Sequence, residues 1–158
     1  MELPIPSHLT DFFVPQGEDN SEFEVTGIIR CLCGSEVFEV RESNGNLIVE
    51  LHCKACDRNV LLFDAGKHGW DGFVCRGDYL DRKLPLEKYS CENCSGDAFR
   101  IKVWISSQGK NDFLEECVAH DNSFAPKDWV DGFEWIQVSL QCAHCGQSEE
   151  DWLDCETM

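Results

Sequence analysis

Residues 31–56 read CLCGSEVFEVRESNGNLIVELHCKAC, and a cysteine pair stands at each end of the stretch. Between the pairs the apolar residues alternate: Leu47, Val49 and Leu51 precede Cys53 by six, four and two positions. That period of two is the signature of a strand with one buried face. Asn44-Gly45 at the centre accepts the positive φ angles of a type I′ turn, so the stretch is expected to be a β-hairpin. A hairpin returns the chain leaving its second strand to the chain entering its first. Cys31, Cys33, Cys53 and Cys56 are therefore expected to converge. Four thiolates at about 2.3 Å from one ion, in tetrahedral geometry, make a closed structural zinc site.

The pattern occurs twice. Cys91 and Cys94 open a second unit, and Cys142 and Cys145 close it. Phe99 stands five residues beyond Cys94, as Phe38 does beyond Cys33. Ile136, Val138 and Leu140 precede Cys142 by the same six, four and two steps. LLFD and DWLD follow the second knuckles at similar distances. The expected cofactor is two Zn²⁺ per chain, held by Cys31, Cys33, Cys53 and Cys56 and by Cys91, Cys94, Cys142 and Cys145. Iron fills the same four-sulfur geometry, and zinc is preferred on availability. A dithiol redox role needs a thiol at a helix N-terminus to lower its pKa, and no pair clearly opens a helix. A rival second site exists on paper. Cys117 and His120 have knuckle spacing and stand closer to Cys94 than Cys142 does, but that choice orphans Cys142 and Cys145.

With its hairpin-bracketing knuckles the chain resembles the zinc-ribbon family, over roughly residues 25–64 and 90–154. The family's knuckles are Cys-x2-Cys, often with Gly after the second Cys. Gly34 and Gly146 stand at that place, and Asp57 and Ser95 replace it in the other two knuckles. CLC brings its two cysteines one residue closer than the family pattern. The fold class implied is mainly β, two tandem zinc-ribbon-like hairpin units with little helix. The expected organisation is an acidic segment 1–24, a first unit 25–75, a connection 76–89 and a second unit 90–158 carrying an insertion at 105–134.

Eleven cysteines, an odd number, exclude complete intramolecular pairing. No basic leader or membrane-length apolar run is present. The expectation is a cytoplasmic protein without disulfides and without a membrane role.

The net charge is −17, and it is not evenly spread. Residues 1–24 hold six acids and no base, residues 111–134 seven acids and one Lys, and residues 146–158 five acids and no base. Residues 25–110 hold 12 of each. A field of this sign repels phosphate backbones, and no basic stripe is present, so direct nucleic-acid binding is disfavoured. A basic protein partner is favoured by steering. The insertion, where acids meet Phe113, Leu114, Phe124 and Trp129, is the candidate contact surface. A helix is expected near NDFLEECVAH, capped by Asn111 or Asp112.

No phosphate loop, histidine-pair metal motif or nucleophile elbow occurs. The expected function is a non-enzymatic, acidic, zinc-binding interaction module for a basic partner, of inhibitor or immunity type. One alternative is a zinc-ribbon adaptor or subunit of transcription or translation machinery. Another is a small hydrolase using His120 and Asp121, with His68 and Asp71 as a second acid-base pair.

Overall fold

The computed structural model describes residues 2–75, 79–120 and 124–158, with the side chains of 75 and 118–120 outside that description. The RGD triplet at 76–78, Asp121, and the side chains of Cys75 and His120 therefore lie outside the described residues. The fold is mainly β. In chain order the elements are β1 (Phe13–Pro15), β2 (Glu24–Ile29), β3 (Phe38–Ser43), β4 (Ile48–Cys53), β5 (Asn59–Asp64), β6 (Glu87–Lys88), β7 (Phe99–Ser106), α1 (Lys110–His120), β8 (Trp135–Cys142) and β9 (Ser148–Glu156). Every strand pairing among the described residues is antiparallel.

The hairpins form where the period-two stretches stand. β3 pairs with β4 from Phe38↔Cys53 to Ser43↔Ile48. β7 pairs with β8 from Phe99↔Cys142 to Ser106↔Trp135. Each unit then adds a third strand, since β5 pairs with β4 and β9 with β8. These are the LLFD and DWLD segments.

The first hairpin's turn is wider than a two-residue type I′ loop. Residues 44–47 lie between the strands, and Asn44, Gly45 and Asn46 are all left-handed, at φ 56°, 65° and 70°. Tertiary bonds hold the wider loop. Asn44 Nδ2 donates to the Asp81 carbonyl at 3.1 Å, and Asp81 N–H donates back to Asn44 Oδ1 at 2.9 Å. Asn46 Nδ2 donates to the Trp152 carbonyl at 3.1 Å, reaching the other unit.

The units meet at one register pair, Phe38↔Phe99. On one side of it lie β5, β4, β3 and β6; on the other β1, β2, β7, β8 and β9. Phe38 and Phe99 hold equivalent places in the repeat, so an antiparallel pair between them relates the units as a local two-fold would. Both sides bury their apolar rows in one core. Val40, Leu51 and Phe63 come from the first, and Val25, Ile101, Val103, Ile136 and Val138 from the second. Each such fully buried side chain contributes about 1.5–3 kcal/mol relative to exposure.

The insertion forms a second, smaller cluster. α1 begins at Lys110, after Gly109 at φ 90°. Asn111 and Asp112 thus lie inside the first turn rather than at the cap. Just before the helix, Ser107 Oγ accepts the Gly109 N–H at 3.0 Å. Phe113, Cys117 and Trp129 pack with Trp70, which comes from the turn after β5. Phe113 is 0 % and Trp129 1 % exposed. The insertion's largest aromatics are therefore spent on the fold, and its exposed face carries acids without them.

Candidate metal centres

Four knuckles present the cysteines, and all four share one turn geometry. The residue after the second cysteine is left-handed in each: Gly34 at φ 93°, Asp57 at 63°, Ser95 at 63° and Gly146 at 79°. Its N–H donates to the carbonyl of the first cysteine. The distances are 2.9 Å for Gly34 to Cys31, 3.0 Å for Asp57 to Cys53, 2.8 Å for Ser95 to Cys91 and 2.9 Å for Gly146 to Cys142. The CLC knuckle keeps this bond one residue shorter. The shortened spacing tightens the turn and leaves both sulfurs on the same side.

The eight sulfurs form two clusters. Cys31, Cys33, Cys53 and Cys56 make one, and Cys91, Cys94, Cys142 and Cys145 the other, with all four Sγ atoms of each lying within 4.8 Å of one another. Cross-knuckle Sγ–Sγ separations are 3.4 Å for Cys31–Cys56 and 3.6 Å for Cys33–Cys53. The second cluster gives 3.7 Å for Cys91–Cys145 and 3.5 Å for Cys94–Cys142. A tetrahedron with metal–sulfur bonds of about 2.3 Å has edges of about 3.8 Å, so the observed separations sit close to a tetrahedral set. All the described cysteines are free of disulfides. The first cysteine of every knuckle is buried and the second exposed, so each centre is half sunk into the core.

Thiol electrostatics fit a cation. Burial pushes Cys31 up to about 12, with the neighbouring thiols adding to it. At Cys53 burial works against ionisation, but the Cys56 and Ala55 N–H groups outweigh it and bring the thiol down to about 6. In the other cluster the Asn93 side chain and the Gln147 N–H bring Cys145 down to about 6. Cys94, despite the Gly96 N–H, is held up at about 12 by Cys142, burial and Cys145. Four sulfurs this close cannot all ionise unaided. A divalent ion among them removes that conflict, and an all-sulfur donor set suits zinc.

The pairing within the second centre is that of Cys142 and Cys145 with Cys91 and Cys94. Cys117 lies apart, buried against Trp70 and Phe113. No knuckle opens a helix, so no helix N-terminus stands behind the lowered thiols: backbone N–H groups lower Cys53, and the Asn93 side chain with the Gln147 N–H lowers Cys145. His52, next to Cys53, faces away from the sulfurs: Nδ1 lies 2.7 Å from Asn59 Oδ1 and Nε2 3.1 Å from Asp57 Oδ1. His144, inside the last knuckle, packs over Gly96, where a Cβ would lie 2.5 Å from its Cδ2. His68, a candidate acid-base group, points at His8 and the Asp64 N–H rather than at Asp71.

A relation between the centres was absent from the spacing. Cys53, Phe38, Phe99 and Cys142 stand in one register row across β4, β3, β7 and β8. Three strand spacings separate the outer two, about 14 Å. β3 and β7 both start at this row and run antiparallel, so the two hairpins extend in opposite directions from it and both centres flank the junction between the units. Asp97 ties that junction together, receiving Lys54 at 3.3 Å and Lys88 at 3.5 Å.

No family model, curated protein or solved structure matches the chain. No helix among the described residues is long and apolar enough to cross a membrane.

Proposed function

We propose that this protein is a non-enzymatic interaction module, with two zinc-ribbon-like units held by Zn²⁺ and an acidic surface that recruits a basic protein. The observation that carries the reading is the pair of closed four-sulfur clusters. Four thiolates leave a zinc ion no open position for water or substrate, so the metal's role is to hold the fold. Metal binding also deepens the field, because eight thiolates against two divalent ions add −4 to the formal −17. The exposed acids support a contact role. Glu18, Asp19, Glu22 and Glu115 all face solvent. They attract a basic surface over about 8–10 Å at moderate ionic strength.

The test is affinity capture from native extract on zinc-loaded protein, followed by salt-dependent binding kinetics with the purified partner. A basic protein is expected, with an on-rate that falls as salt rises. The variant Glu18→Gln/Asp19→Asn/Glu22→Gln/Glu115→Gln is expected to keep both metals and to slow association about tenfold. Parental association by that variant at every salt concentration overturns the charge-directed reading. A captured nuclease makes the module an inhibitor, and a polymerase or ribosomal component makes it an adaptor.

A further inference from the structure

β5 is an outer strand, hydrogen-bonded to β4 alone among the described residues. Such an edge presents N–H and C=O groups that invite another strand. Here two of those groups are taken by imidazoles. His8 Nε2 lies 2.9 Å from the Leu62 carbonyl. The Asp64 N–H donates to His68 Nδ1 at 2.9 Å. The two rings stack, with centroids 3.6 Å apart and planes 7° from parallel. The turn that carries His8 is also held by Asp131. Its carboxylate accepts the Ser7 N–H at 2.8 Å and the Ser7 hydroxyl at 2.9 Å. Leu9, one residue on, is fully buried in the core.

These bonds set the proton positions. A carbonyl only accepts, so His8 carries hydrogen on Nε2. A backbone N–H only donates, so His68 Nδ1 must be a bare acceptor and the ring neutral. Protonating Nδ1 sets donor against donor and places a cation on a parallel imidazole. The surrounding charges do not compensate. Asp64 is occupied by Arg82, at 2.8 and 3.0 Å. Lys67 opposes a charge on His68, Asp131 is engaged by Ser7, and the Phe63 ring closes another side at 6.3 Å. Burial first, and then His8, bring His68 down to about 3, and burial likewise lowers His8.

We propose that the stacked His8–His68 pair is a proton-operated latch that holds residues 2–12 over the edge of β5 near neutral pH and releases them on acidification. The closed form resists protonation, whereas an opened histidine titrates near its ordinary value of about 6.5. Opening therefore becomes easier as pH falls below about 6.5. One histidine raises the opening constant about tenfold by about pH 5.5. Release frees the Leu62 carbonyl and the Asp64 N–H, and β5 becomes an edge to which an extended segment of a partner can add.

The test is amide hydrogen exchange by NMR on the zinc-loaded full chain between about pH 7.5 and about 5.5, corrected for intrinsic exchange. Protection at Ser7 and Asp64 is expected to fall about tenfold more than at Val103 and Val138, which report the β7–β8 hairpin and zinc retention. His68→Gln keeps an acceptor without a titrating ring and is expected to flatten that dependence. Direct imidazole titration in the unsubstituted chain is the second measurement. His68 is expected to stay neutral for as long as the Asp64 amide is protected. The latch is overturned if Ser7 and Asp64 only track the β7–β8 amides, if His68→Gln keeps the parental pH dependence, or if His68 titrates near 6.5 under a closed strap.

Discussion

In the first unit β3 and β4 are six residues each and are joined by residues 44–47, whereas in the second β7 and β8 are eight residues each and are joined by residues 107–134. At the metal end this difference vanishes. Phe38↔Cys53 and Phe99↔Cys142 are equivalent register pairs, and every knuckle closes on the carbonyl of its own first cysteine. A one-residue slip there would turn the buried cysteine to the other face of the sheet and dismantle the donor set. At the far end nothing demands a particular length. A hairpin accommodates a long insertion provided the added chain buries its own apolar groups, as Phe113 and Trp129 do with Trp70. Geometry is held tightly where a metal reads it and loosely where only solvent does.

The equivalence of the two metal ends can be broken most forcefully at the cysteines. Structural zinc contributes on the order of 10 kcal/mol to folding in small metal-held units. Cys53→Ser and Cys142→Ser are each expected to remove one of two zinc ions, by elemental analysis, and chelation of both to abolish the cooperative melt. Zinc retention in Cys142→Ser with loss in Cys117→Ser would assign the second centre to different ligands.

The next effect is at the row that joins the units. Phe38→Ala and Phe99→Ala are each expected to cost about 3–5 kcal/mol in denaturant unfolding of zinc-loaded protein. Because the two residues pair directly, the double variant should cost measurably less than the sum. Strict additivity would mean that the two phenylalanines stabilise separate bodies rather than one junction.

The smallest effect sharpens the comparison between knuckles. Asp57 and Ser95 hold left-handed backbones that Gly34 and Gly146 hold without a Cβ penalty. Ser95→Gly is expected to gain about 1 kcal/mol and Gly34→Ala to lose a similar amount. Those changes shift Tm by about 2–4 °C in opposite directions in a chain of this size. A Ser95→Gly variant that melts lower would show that the serine side chain supplies something that the turn itself does not.

The hairpins and the donor residues were readable because they rest on local rules. Period two in Leu47, Val49 and Leu51 and in Ile136, Val138 and Leu140 specifies a half-buried strand wherever it occurs, and knuckle spacing specifies donors. The helix near Phe113 was readable from local signals too. β5 and β9 were visible only as echoes, LLFD and DWLD, because an edge strand is defined by the neighbour it finds. α1 begins at Lys110, where Gly109 turns the chain, so the polar Asn111 and Asp112 fall inside its first turn rather than ahead of it.

What the amino-acid sequence determined by itself is the chemistry: eight thiols in four knuckles, two hairpins to gather them, and an acid excess placed outside the neutral ribbon segments. What only the tertiary structure decided is which parts become neighbours across long separations. Spacing left two candidate partners for Cys91 and Cys94, and the β7–β8 register brought up Cys142 and Cys145. Nothing local announced that Phe38 would pair with Phe99 and bring both centres to the junction of the units, or that His8 would stack on His68. Such contacts connect residues tens of positions apart. Their stability comes from burying a shared core, a property of the assembled sheet that no stretch of the chain carries alone.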